Sequence, residues 1–193
     1  MIFTIVEGSG DELALPILVQ NERGVQFQIA CKSMEGKSNI VRKNKIPALN
    51  GFEETIKRQT VLGHNDFVVL LDDDVLYPPY KTRKKEHDDM NQRALKLQSQ
   101  FRIRVRIFWA TINYESWIIG GLLRNFNKCM ITQPVKTVSG DTQAYPPNPK
   151  KWIEEHFSGY EYNPKIQVCL TRHMHVPSAK RRNHSLRLFL DSL

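Results

Sequence analysis

Apolar positions fall along this chain in short runs separated by longer mixed stretches, and the spacing within each run changes as the chain proceeds. Residues 2–6, Ile-Phe-Thr-Ile-Val, are apolar but for one threonine, the composition of a strand buried on both faces. Gly8-Ser9-Gly10 interrupts that run. Asp11 is placed to cap a helix through Leu13, Leu15, Ile17 and Leu18, with Pro16 within its first turn or so, where a missing N–H is tolerated. Residues 25–31 alternate, with Val25, Phe27, Ile29 and Cys31 on one side, and predict a second strand. Residues 32–45 are polar and basic and predict a loop. Pro47 then opens a helix with Leu49, Phe52, Ile56 and Val61 as its apolar positions, stopped by Gly63-His64-Asn65.

The strongest strand signal is 67–71, Phe-Val-Val-Leu-Leu, which runs directly into Asp72-Asp73-Asp74. Residues 81–101 predict a long, highly charged helix with a thin apolar stripe of Met90, Leu95, Leu97 and Phe101. Over 103–109, Ile103, Val105, Ile107 and Trp109 alternate with Arg104, Arg106 and Phe108, the pattern of a fourth strand nearer an edge. A helix follows over 114–124. Past Asn125 the pattern weakens: a Pro-, Thr- and Gly-rich loop over 132–149, a short helix over 150–157, and a basic terminal helix over 178–193. Strands alternating with helices at this spacing imply a parallel sheet with right-handed crossovers. The expected fold is therefore α/β, a Rossmann-like, mainly parallel four-stranded sheet flanked by helices. Residues 1–125 form that domain, and 126–193 a C-terminal loop-and-helix extension packing on it.

Composition narrows the setting. The chain has 193 residues, 40% hydrophobic and 25% charged, enough for one domain with a sizeable core. No run reaches the length of a membrane span, and the opening residues lack a leader's basic flank, so a cytoplasmic protein with no membrane partner is expected. Three cysteines, Cys31, Cys129 and Cys169, stand far apart and suggest neither a metal motif nor a disulfide framework. The net charge of +8 favours an anionic partner, nucleic acid above all. Basic residues cluster at 32–45, at 81–85 and at 180–187; Lys37, Arg42, Lys43 and Arg187 are candidate phosphate contacts, with solvated basic loops the plainer explanation.

The acidic residues carry the chemistry. Glu7 follows the first strand, Asp72, Asp73 and Asp74 the third, and Glu115 comes shortly after the fourth. In a parallel sheet these loops leave one edge, the edge where ligands bind. Residues i and i+2 of an extended segment share a face, so Asp72 and Asp74 point together, toward Glu7, while Asp73 points away. Carboxylates brought together repel and are costly to bury unpaired. A divalent cation resolves both problems, and hard oxygen ligands with room for water favour Mg²⁺ or Mn²⁺. Glu7, Asp72 and Asp74 are the expected metal ligands. Glu115 joins them as a candidate catalytic residue, an ion pair with a nearby arginine being its plainer role. His173 and His175, at i and i+2, lack the further ligands a zinc site needs. Gly8-x-Gly10 is not a dinucleotide fingerprint, and no phosphate-binding loop of the ATPase type occurs. Trp117 is expected to pack rather than stack on a base.

At these residues the sequence resembles a known family. Glu7-Gly8, with Asp72-x-Asp74 after a later strand, resembles the TOPRIM domain of topoisomerases, primases and overcoming-lysogenisation-defect nucleases. A closer resemblance, to an uncharacterised TOPRIM-related bacterial family, spans nearly the whole chain. It rests on Glu7-Gly8-Ser9-Gly10-Asp11 with Ala14-Leu15-Pro16-x-Leu18, then Asp72-x-Asp74, then Glu115-x-Trp117. In the tail it rests on Lys150/Lys151, Tyr162 with Gln167, Leu170-Thr171 and Ser185-x-Arg187-x-Phe189. Asp11 departs from the family's usual glutamate. The resemblance implies a TOPRIM-like fold in which the aspartates hold Mg²⁺, and Glu7 acts as a further ligand or general acid/base in phosphodiester cleavage. Glu115 is placed to ligate a second ion. The expected function is a metal-dependent nuclease acting on DNA or RNA, by family analogy a defence effector working with a separate ATPase. The alternatives are a non-catalytic TOPRIM-fold module for an ATPase partner and, least favoured, a sugar-nucleotide transferase.

Overall fold

The computed structural model describes residues 1–41, 51–73, 80–124, 126–133, 135, 140–143, 146–161 and 163–193, with side chains outside the description over 80–83. Its centre is a four-stranded sheet in the order β2-β1-β3-β4, formed by β1 (Ile2–Val6), β2 (Ile29–Ser33), β3 (Asp66–Asp72) and β4 (Arg104–Ala110). All three pairings are parallel, with Thr4 opposite Cys31 on one side and Val68 on the other. The α/β class and the parallel four-stranded sheet expected from the sequence are what the chain adopts. β4 lies at an edge, as its arginines foretold; Arg106 is kept there by Asp66 Oδ1 at 2.6 Å and the Ser192 carbonyl.

The two faces of the sheet carry different layers. Ile2, Val6, Val68 and Leu70 look toward α1 (Ser9–Arg23), α5 (Tyr114–Gly121) and the C-terminal helices. Phe3, Ile5, Phe67, Val69 and Leu71 look toward α2 (Lys37–Val41), α3 (Phe52–Val61) and α4 (Tyr80–Phe101). Strands β1 and β3 are buried on both sides, which explains why each is a nearly unbroken apolar run. From β1 the chain turns to β2, and from β3 it turns the opposite way to β4. The switch of direction therefore falls between β1 and β3, where parallel sheets bind ligands at their carboxyl ends.

Residues after 125 complete the first of these layers. The helices α6 (Pro149–His156), α7 (Pro164–His173), α8 (Val176–Arg182) and α9 (His184–Ser192) follow. Ile166, Leu170, Ala179 and Phe189 enter the same core as Leu15 and Leu18 of α1. The larger of these side chains, Ile166, Leu170 and Phe189, each contribute on the order of 1.5–3 kcal/mol through burial. Trp117 lies at the centre, fully buried, its ring 5.4 Å from Phe189 and its Nε1 donating to Ser185 Oγ at 2.9 Å. It packs, as expected.

Several local readings are corrected. β2 begins at Ile29 rather than 25, because Gly24 takes φ 91° and accepts a turn bond from the Phe27 N–H. α1 starts at Ser9 with Gly8 as its N-cap, so Pro16 falls mid-helix and Asp11 is a first-turn residue, not the cap. A short helix, α2, interrupts the loop expected over 32–45, while Pro47 lies outside the described residues. On α4, Met90, Ala94 and Leu97 are buried and Leu95 is 54% exposed. The terminal helix is two helices, broken at Asn183, whose Oδ1 accepts the Leu186 N–H at 3.1 Å. α7 was not foreseen; His173 ends it and His175 caps α8, so the pair is not on a strand. Cys129 and Cys169, read as unpaired, are joined in a disulfide across 40 residues with Cα atoms 5.6 Å apart. Among the described residues no helix is long and apolar enough to cross a membrane.

Candidate functional site

The carboxyl end of β3 delivers Asp72 to the sheet edge at the switch point. Its Oδ1 accepts the Tyr114 N–H at 3.0 Å, which fixes the side chain against the start of α5. Its Oδ2 lies 3.7 Å from Lys150 Nζ on α6. The sequence places Asp72 and Asp73 on opposite faces, and so does the structure: Asp73 Oδ1 pairs with His87 Nε2 of α4 at 3.1 Å.

Asp11 and Glu115 share one crevice with Asp72. The crevice, about 360 Å³, runs between the N-terminus of α1 (Gly8 to Asp11) and a wall of Lys150, Glu154, Tyr160 and Gln167. Each carboxylate is held differently. Asp11 accepts the Gly8 N–H at 3.2 Å on Oδ2 and the Gln167 Nε2–H at 2.7 Å on Oδ1. Glu115 is 6% exposed, and its Oε1 accepts the Tyr160 hydroxyl at 2.6 Å. Its Oε2 is buried and has no hydrogen-bond partner among the described residues. A buried acceptor left unsatisfied costs on the order of 1–3 kcal/mol. Among the described residues no three His, Cys, Asp or Glu side chains close on one point as a ready-made metal cage.

Burial, and then the negative charge of Glu115, push the Asp11 carboxyl up to about 6, against the lowering effect of Gln167. Burial, followed by the charges of Asp11 and Glu115, lifts Asp72 well above the usual carboxylate range. Burial and Glu115 likewise raise the Tyr160 phenol, so it stays a donor at neutral pH. A carboxyl whose pKa is raised by folding contributes stability below its unfolded pKa that is lost as pH rises through the folded value. The metal-free protein is therefore expected to lose thermal stability between about pH 4 and 7. In a pH series of melting curves, Asp11→Asn should flatten that fall near pH 6; an unchanged slope would remove Asp11 as its source.

Glu7 occupies a different place from the one expected. It is adjacent to Asp72, but its Oε1 accepts the Asp72 N–H at 2.7 Å and it is not part of the crevice wall. Asp74, Arg42 and Lys43 lie outside the described residues. Lys37 does reach this edge: its Nζ donates to the Asp72 carbonyl at 2.8 Å and lies 5.1 Å from the Trp109 ring centre. Arg187 is elsewhere. It lies with Lys180, Arg181 and Glu22, at the far end of α1 from Asp11, about 16 Å along the helix. Its guanidinium contacts His184 Nδ1 at 2.8 Å. The arginine partner considered for Glu115 is replaced by Tyr160.

Among the crevice residues that escaped the sequence as site residues are Asp11, read as a cap, Lys150, Glu154, Tyr160 and Gln167. Asp11 had a signal, since it sits in the first turn of a helix opening at the switch point. Gln167, which meets Asp11 across 156 residues, had none in local pattern. Gly10 makes that contact feasible: a Cβ there would stand 1.9 Å from Gln167 Oε1. Gly10→Ala is expected to displace the carboxamide from Asp11 with little change in melting temperature and, if the crevice takes the divalent cation proposed below, to weaken its binding about tenfold. Titration calorimetry checks this.

No family model matches the sequence, and no curated protein is significantly similar to it. Among solved structures, a protein from Marinobacter aquaeolei VT8 described as a cobalamin (vitamin B12) biosynthesis CbiX protein aligns at 16% identity and a TM-score of 0.27, over 55% of this chain and 77% of that one. That likeness is too slight to bear on fold or function.

Proposed function

We propose that the crevice at the β1/β3 switch point binds Mg²⁺ or Mn²⁺ and that the protein is a metal-dependent nuclease acting on nucleic-acid phosphodiesters. The buried Oε2 of Glu115, unpartnered among the described residues, on a side chain that lines the crevice with Asp72, carries this reading. A carboxylate oxygen left bare at that depth is a stable arrangement only if a cation or a donor meets it. The donor set fits the cation named. Mg²⁺ is held through one or two carboxylates, keeps several waters and takes phosphate oxygens to complete its shell, so the absence of a closed cage among the described residues accords with it. The net charge of +8 supports a polyanionic substrate.

Asp72 and Glu115 would hold the ion, which supplies charge neutralisation at the non-bridging phosphate oxygens. The chain's own groups prepare the site. Tyr160 fixes the rotamer of Glu115, Gln167 that of Asp11, and Glu7 ties the end of β3 by accepting the Asp72 N–H. Lys150 balances part of the crevice's negative charge and is positioned to attract phosphate. Asp11 holds a proton below about pH 6 and is the group suited to exchange one with substrate near neutrality.

The test is cleavage of labelled single- and double-stranded DNA and RNA with and without Mg²⁺, by wild type and Asp72→Asn. Metal-dependent cutting that the variant loses supports the reading. Cutting that persists in EDTA, or in Asp72→Asn, refutes it. Retention of a cellular phenotype by Asp72→Asn would favour the binding module instead.

A further inference from the structure

We infer that the crevice admits a terminal phosphate carried by a nucleoside, together with its divalent cation, and not the interior of a nucleic-acid duplex. The inference rests on the cation reading above, specifies what enters beside the ion, and confines any cleavage to the phosphodiester next to a strand end.

Enclosure sets the first limit on what can enter. The acidic floor, Asp72 and Glu115, faces a wall supplied by α6, Tyr160 and α7. Glu115 lines the crevice while only 6% exposed, with its Oε2 buried, so a group drawn to that oxygen would approach through the crevice. At about 360 Å³ the space is at the small end of single-ligand sites. Enzymes that act on groups inside a duplex face this same limit and must extrude one nucleotide into the protein.

Charge decides which group goes in. One side of the crevice is the N-terminal turn of α1, a 15-residue helix, whose first N–H groups have no partner within the helix and favour an anion. Gly8 and Gly10 lie in that turn, and without side chains they let a ligand approach the backbone closely. Lys150 adds a cation on the opposite wall. The remaining walls are acidic: Asp11, Asp72, Glu115 and Glu154. A bare phosphate would be repelled there, and a bare cation would gain nothing from the helix terminus, whose Gly8 N–H is already met by Asp11 Oδ2. A phosphate bound to a divalent ion satisfies both, with the ion on Glu115 Oε2 and Asp72 and the phosphate toward α1 and Lys150. A terminal phosphate has the charge and slimness for this; an internal one brings chain on both sides.

The test is calorimetric titration of the full chain in Mg²⁺ with four probes: adenosine 5′-monophosphate, adenosine, a short 5′-phosphorylated single-stranded oligonucleotide, and the same sequence closed into a circle. The two terminal phosphates are expected to bind only with Mg²⁺, and adenosine and the circle at least about tenfold more weakly, the loss of one charge-assisted contact. Lys150→Ala, at a side chain 51% exposed, should weaken the monophosphate about tenfold without lowering the melting temperature. Tighter binding of the oligonucleotide than of the monophosphate marks a strand end; equal binding marks a free nucleotide. A circle that binds as well as the linear strand overturns the inference while leaving the cation site intact. Tb³⁺ luminescence run in parallel separates the two claims, because loss of the ion itself overturns the reading beneath.

Discussion

Glu115→Gln is expected to raise the melting temperature of the metal-free protein while cutting the proposed metal-dependent activity about 100-fold. The wild-type side chain buries a carboxylate whose Oε2 has no partner among the described residues and which lies in one crevice with Asp11 and Asp72. Glutamine keeps the shape and the Tyr160 hydrogen bond, removes one charge and offers an N–H toward the remaining acids. Relief of an unsatisfied buried acceptor is worth about 1–3 kcal/mol, and each kcal/mol moves a chain of this size by about 2–4 °C. Activity should fall on the order of 100-fold, the typical loss when one preorganised charge-stabilising group is removed. Thermal denaturation in EDTA and the cleavage assay read the two effects separately. A variant that melts lower than wild type would make Glu115 a structural residue. Opposite movement of stability and activity is the behaviour of a strained functional group.

Trp117→Ala is expected to cost the most stability of any single change in the hydrophobic layer around the site. The indole is fully buried, stacked 5.4 Å from Phe189, and hydrogen-bonded to Ser185 Oγ, which also accepts the Thr111 N–H at 3.1 Å. Truncation opens a cavity and removes the donor to Ser185, about 3–5 kcal/mol in all, or roughly 10 °C of melting temperature. Because Trp117 lies on α5 two residues from Glu115, the site should loosen with it. Trp117→Phe keeps most of the packing and should lose only about 1 kcal/mol. Chemical denaturation of the two variants decides; equal, small losses would show that the core closes over the gap.

The sheet was legible because β1 and β3 are buried on both faces, and nothing but an apolar run satisfies that environment. The switch point followed, and with it the loops that bear Glu7, Asp72 and Glu115. What local pattern concealed was polar burial. The buried face of α7 carries Gln167 and Thr171 beside Ile166 and Leu170, so its apolar stripe is diluted by residues that serve Asp11 and Tyr114. Arg93 thins the apolar stripe of α4, a helix the sequence does predict, in the same way: it is a nearly buried guanidinium bonded to both oxygens of Glu53 at 2.5 Å. Glu7 was expected in the cation pocket because its strand leads there. At the end of β1, however, the alternation that turns Val6 toward α1 turns Glu7 toward the backbone of β3, and Asp11, one helical turn on, faces the crevice instead.

The central claim is that Glu115 and Asp72 share one divalent ion. Its most direct measurement is an anomalous difference map from crystals soaked in Mn²⁺. The account predicts a peak at about 2.0–2.2 Å, near-octahedral ligand distance, from Glu115 Oε2 and Asp72 in wild type and none in Glu115→Gln. An empty crevice beside a Mn²⁺ peak elsewhere in the same crystal would contradict it.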